Sequence, residues 1–69
     1  MIVLSVNGER RELPDGATVA DVAAEMGAPS EGRGLAVALD GVVVPRSEWE
    51  RTPLRQGARV EVVVAVQGG

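Results

Sequence analysis

Gln67-Gly68-Gly69 closes a chain of 69 residues, and the chemistry open to it follows from what these residues lack. Neither glycine has a side chain, and glycine accepts φ of either sign, so the backbone there is thin and adaptable. The reactive group of such an end is the α-carboxylate of Gly69. A carboxylate is a poor electrophile and must be activated before a nucleophile can use it. Attack on the α-phosphate of ATP, giving an acyl-adenylate, is the usual route. The adenylated carbonyl can then take sulfur, giving a thiocarboxylate, or an amine, giving an isopeptide bond. Two glycines pass a narrow enzyme channel where side chains would clash. Terminal glycines also occur as fraying ends. Here they follow directly on Val60-Glu61-Val62-Val63-Val64-Ala65-Val66, an apolar, β-branched run and the strongest strand signal in the sequence.

Other chemistry is poorly supplied. The chain has no cysteine and no histidine, which removes thiolate staples, the usual zinc ligands and the usual general base at neutral pH. It has no lysine, and seven arginines carry all the side-chain positive charge. A phosphate-binding Gly-x-x-x-x-Gly-Lys loop is therefore excluded despite the glycines between Gly27 and Gly34. The carboxylates follow no calcium-loop spacing, so no metal site is expected. The serines have no histidine to activate them. No catalytic residue of its own is expected, and no bound cofactor. Activation of Gly69 has to come from a separate enzyme that uses ATP.

A strand must hold the tail out, and the rest of the chain must hold the strand. Ile2, Leu4 and Val6 alternate with Val3 and Ser5, as in a strand with one buried face. Asn7-Gly8 is the preferred pair for a two-residue hairpin turn. Glu9 to Leu13, four of its five residues charged, suits a sheet edge. Pro14-Asp15-Gly16 ends it. Thr18 and Asp21 make a capping box, and Val19, Val22, Ala23 and Met26 form one apolar helical stripe ending at Gly27. Residues 28–34 read as a loop. Leu35, Val37 and Leu39 alternate with alanines, Asp40-Gly41 is a second hairpin turn, and Val42-Val43-Val44 runs to Pro45. Ser47 with Glu50 is expected to cap a short turn carrying Trp49, and Leu54 to return to the core.

The order strand, strand, helix, strand, strand, turn, strand, with the apolar last run placed centrally and parallel to the first, gives an α+β fold. It is a β-grasp: a mixed five-stranded sheet with one helix across one face. Residues 1–66 are expected to form the domain and residues 67–69 a flexible tail. Within the last run, Val60, Val62, Val64 and Val66 share one parity, and Glu61, Val63 and Ala65 the other. One helix covers one sheet face, so Val63 and Ala65, beside the tail, are the candidate partner-binding residues on the open face.

Sixty-nine residues make one small domain whose core is marginal. Net charge is −3 and Trp49 is the only aromatic, so nucleic acid is not an expected partner. No run is long enough to span a bilayer and no signal pattern opens the chain, so the expected location is the cytoplasm. When free the protein is expected to be a monomer.

The chain resembles the ThiS family, the ubiquitin-like sulfur carriers of thiamin thiazole synthesis. The resemblance rests on Val6-Asn7-Gly8, on Val44-Pro45-Arg46-Ser47-Glu48-Trp49, on Gly57 to Val64, and on Gly68-Gly69. The Val-Pro-Arg-x-x-Trp segment is the most family-specific of these. The resemblance implies that Gly69 is adenylated by a ThiF-like enzyme with ATP and thiocarboxylated with sulfur from a donor enzyme. The sulfur would then pass to a ThiG-like thiazole synthase. Ala58 departs from the pattern, since such proteins commonly carry an acidic residue there. Alternatives are a MoaD-like subunit of molybdopterin synthase, a ubiquitin-like protein modifier, and a binding β-grasp domain with an idle tail.

Overall fold

The computed structural model describes residues 1–26 and 34–64. Its elements are β1 (Ile2–Val6), β2 (Glu9–Leu13), α1 (Val19–Glu25), β3 (Leu35–Leu39), β4 (Val42–Val44), a 3-10 helix (Arg46–Arg51) and β5 (Arg59–Val64). The sheet order is β2-β1-β5-β3-β4. β5 is therefore central, parallel to β1 and antiparallel to β3, and the two hairpins flank it. This is the β-grasp expected from the sequence. The charged β2 takes an edge, where Arg and Glu side chains discourage unwanted pairing.

Both hairpins turn on an Asx-Gly pair. Asn7 and Asp40 have φ of 51° and 49°, and Gly8 and Gly41 follow with φ of 83° and 85°. Positive φ at both central positions matches the right-handed twist of the strands, and Asn, Asp and Gly tolerate it. The Thr18 N–H donates to the Asp21 carboxylate at 2.8 Å, one half of the expected capping box. Val19, Val22 and Ala23 are buried against Leu4, Val6, Val37, Val60 and Val62, with Met26 partly buried beside them. The expected cap at Gly27 and most of the 28–34 loop lie outside the described residues.

Residues 52–54 tie the helix start to the core. Val19 N–H donates to Thr52 C=O at 3.0 Å and Leu54 N–H to Ala17 C=O at 2.8 Å. Leu54 is buried, as expected. Trp49 is buried too, and its indole Nε1–H donates to Val44 C=O at 2.9 Å. The turn that carries it differs from expectation. It is capped by Pro45 and starts at Arg46, and no side-chain hydrogen bond from Ser47 caps it. Pro45, at φ −59° and ψ 145°, presets the entry, and its C=O accepts the Glu48 N–H at 2.8 Å.

The face assignment of β5 holds for Val60 and Val62, which are buried, and for Glu61 and Val63, which are exposed. Val64 shares the face of Val60 and Val62, opposite Leu35, but is 58% exposed where burial was expected. α1 has seven residues and β5 six. At about 1.5 Å and 3.3 Å per residue the helix is roughly half the strand's length, too short to cover the whole of β5.

Candidate functional site

The site expected from the sequence is an exit: the end of β5 and the residues that follow it. Gln67, Gly68 and Gly69, with Ala65, lie outside the described residues, as does the expected boundary between domain and tail. The structure describes how β5 is held and what surrounds its end.

β5 is anchored from both sides by the two hairpin turns. On the β3 side, Asp40 N–H donates to Arg59 C=O at 2.8 Å, and Arg59 N–H returns to the Asp40 carboxylate at 2.9 Å. On the β1 side, Asn7 N–H donates to Val60 C=O at 2.9 Å. The Asn7 carboxamide then bonds the next rung twice: Oδ1 accepts the Val62 N–H at 2.7 Å, and Nδ2 donates to the Val62 C=O at 3.1 Å. Gly57 N–H to Val3 C=O at 2.7 Å, and Val3 N–H to Gln56 Oε1 at 2.8 Å, fix the strand's entry. The sequence marked Asn7 and Asp40 as turn residues. It gave no sign that both side chains reach β5, because the partners lie 55 and 19 residues away.

The sheet face opposite α1 is open, and its two halves differ. Toward β2 it carries Arg10, Glu12, Arg59 and Glu61, paired within their own strands at 3.5 Å and 4.0 Å. Such exposed pairs contribute little to stability. Toward β4 it is apolar. Val63 stands opposite Ala36, and Val43 opposite Ala38. Val63 and Val43 are 64% and 69% exposed. Opposed side chains on one face sit about 5 Å apart, so the four form one patch with the alanines as its floor. Val63 was expected here. Val43 was missed, because its side of the sheet depends on a register the sequence does not state. Val42 and Val64 are also exposed, on the opposite parity.

The carboxylates between the end of β2 and α1 are engaged. A hollow of about 410 Å³ between the end of β2 and α1 is lined by Asp15, Asp21 and Glu25 among others. Asp21 serves the helix start, Glu25 pairs with Arg11 at 2.9 Å, and Asp15 pairs with the Met1 amine at 3.0 Å. Among the described residues no group of three or more His, Cys, Asp or Glu is placed to hold a metal, and no helix is long and apolar enough to cross a membrane. Ala58, the departure noted in the sequence, is buried between the turn after Leu54 and the start of β5.

Comparison with known proteins places this geometry. The ThiS family model matches residues 4–69, so the match runs from within β1 through the terminal glycines. The chain belongs to the ThiS family. Among solved structures it is similar to the thiamine biosynthesis protein ThiS from Geobacter metallireducens, with a TM-score of 0.77 and 23% identity. That likeness covers 99% of this chain and 100% of the other, and at that identity it speaks for the β-grasp fold. Two threonine–tRNA ligases also match, from Geobacter sp. strain M21 at 42% identity and from Citrifermentans bemidjiense at 40%, each over 57 residues and 83% of this chain. The chain spans only 8% of the length of these ligases.

Proposed function

We propose that this ThiS-family chain is a sulfur carrier for thiamin thiazole synthesis, with Gly69 as its working end and no catalysis of its own. The observation that carries the reading is the family match through residue 69, which takes in Gln67-Gly68-Gly69 with the domain. A ThiF-like enzyme would bind the open face at Val63 and Ala65 and draw the two glycines into its channel. The Gly69 carboxylate attacks the α-phosphorus of ATP and expels pyrophosphate. Sulfide supplied by a donor enzyme then attacks the acyl carbonyl and expels AMP, leaving the thiocarboxylate. That group donates its sulfur to a ThiG-like thiazole synthase. The carrier's own residues do three things: β5 presents the end, the core fixes β5, and the apolar patch gives the activating enzyme a surface to hold. ATP is bound by the partner, and the carrier needs no cofactor.

The test is pyrophosphate release. With a ThiF-type enzyme and ATP, the full-length chain should drive ATP–pyrophosphate exchange, and a chain lacking Gly69 should not. A MoaD-like carrier or a modifier would share this adenylation and differ in the acceptor: molybdopterin synthase in one case, amines of other proteins in the other. A second reading is supported by the identity to threonine–tRNA ligases. In it the chain is a β-grasp binding domain whose tail does no chemistry, and no ATP–pyrophosphate exchange should occur.

A further inference from the structure

The hairpin between β1 and β2 creates a gap beside β5 that one side chain fills. A parallel ladder continues by alternate backbone bonds along both strands. β1 stops at Val6, where its pairing with Val60 is the last of the register. The next residue, Asn7, is already in the left-handed turn at φ 51°. Its N–H still reaches Val60, but from there the chain turns and doubles back as β2. Val62 therefore presents an N–H and a C=O toward β1 with no β1 backbone to meet them. The Asn7 carboxamide supplies both missing partners, an acceptor at 2.7 Å and a donor at 3.1 Å. Two residues beyond this rung β5 reaches Val64, the last described residue before the tail.

We infer that Asn7 is a positioning residue for the tail: its carboxamide adds a rung at Val62 on the β1 side of β5, beyond the last backbone bond from β1 among the described residues, and so holds the strand from which Gly69 is presented. The inference rests on the carrier reading for its purpose and on the hydrogen bonds alone for its geometry. The second hairpin explains the choice of side chain. Asp40 occupies the same turn position at φ 49°, but there the turn's own N–H satisfies the Arg59 C=O, and the side chain need only accept. A carboxylate suffices. At Val62 the side chain must accept and donate together, which a carboxamide does and a carboxylate cannot. Glycine meets the backbone demand at position 7 and neither bond.

The experiment separates the turn from the rung. Asn7→Gly keeps a Gly-Gly turn of the same type and removes both bonds. Asn7→Asp keeps the turn and the acceptor and removes the donor. Amide hydrogen exchange should show the Val62 N–H about tenfold less protected in Asn7→Gly, as expected for a lost bond and an unpaired donor. Ser5 and Val19, whose amides bond elsewhere, should be unchanged. In ATP–pyrophosphate exchange with a ThiF-type enzyme, the KM for the carrier should rise several-fold in both variants with kcat retained, and Asp40→Asn should match the parent chain. Val62 protection retained in Asn7→Gly overturns the rung. Protection lost with KM unchanged overturns the positioning role. If the parent chain itself gives no exchange while Val62 protection is lost in Asn7→Gly, the carrier reading and the tail role fail together and the rung remains as a structural bond only.

Discussion

Val62 and Val63 are neighbours in sequence with opposite fates, and a matched pair of aspartate substitutions measures the difference. Val62 is 6% exposed and sits in the core cluster with Leu4, Val22, Val37 and Val60. Val62→Asp forfeits about 1.5–3 kcal/mol of apolar burial. It also places a carboxyl in an apolar site, at an effective cost of several kcal/mol for an ion after relaxation. A domain of this size has only about 3–10 kcal/mol of stability at the usual per-residue range, so the variant should not give a cooperative melt. Val63 is 64% exposed, and its cross-strand neighbour is Ala36. Val63→Asp exchanges a good strand former for a poor one at a cost of about 1 kcal/mol, which lowers the Tm by about 4–8 °C for a domain of this length. It also puts a charge on the patch proposed to meet the activating enzyme. If Val63 is a hot spot there, the loss is about 2 kcal/mol or more, roughly 30-fold in affinity. Thermal melts by circular dichroism and titration with a ThiF-type enzyme read the two effects separately. Equal destabilisation by both substitutions would mean both sheet faces are covered. A Val63→Asp chain that binds at full affinity would move the contact elsewhere.

Substitutions at three further positions probe the frame that holds β5. Val22→Asp, at a helix position only 2% exposed, should abolish the cooperative melt because it buries a charge without a partner; a retained melt would show that the stripe does not face the sheet. Trp49→Phe keeps most of the buried ring but loses the bond to Val44 C=O, and should lower stability by about 1–3 kcal/mol in urea unfolding, since the Val44 carbonyl loses a partner and the ring is smaller. Asp40→Ala should cost about 1–3 kcal/mol, because the Arg59 N–H loses its acceptor and alanine is strained at φ 49°, whereas Asp40→Asn, which still accepts, should melt within a few degrees of the parent chain.

The elements were legible because local chemistry and burial pattern agree along most of the chain. Asn7-Gly8 and Asp40-Gly41 announced their turns through the φ they require, Thr18 and Asp21 announced the helix start, and the valine-rich last run announced a central strand. Register was less legible. The parity of β5 was readable from alternation, yet the exposure of Val64 depends on tertiary packing. Val43 joins the open patch through its pairing with Ala38, which no local pattern encodes. The 3-10 helix starts at Arg46 with Pro45, not Ser47, as its cap, because the fixed φ of proline presets the entry without a side-chain hydrogen bond. The rung at Val62 was hidden for a similar reason. Asn7 looks complete as a turn residue, and only the folded topology brings Val62 alongside it. The tail was legible as composition and chemistry alone, since the role proposed for it lies in a reaction carried out with other proteins.

That role is tested most directly by intact-mass measurement of the carrier. The chain is incubated with a ThiF-type enzyme, ATP and a sulfur donor, then weighed whole and after fragmentation. The account predicts a product heavier by the exchange of one oxygen for sulfur, with the change located at Gly69, and no such product when one residue is added after Gly69. An unmodified mass from a folded chain under conditions that thiocarboxylate another ThiS-family carrier, or a gain of sulfur by the extended chain, would contradict it.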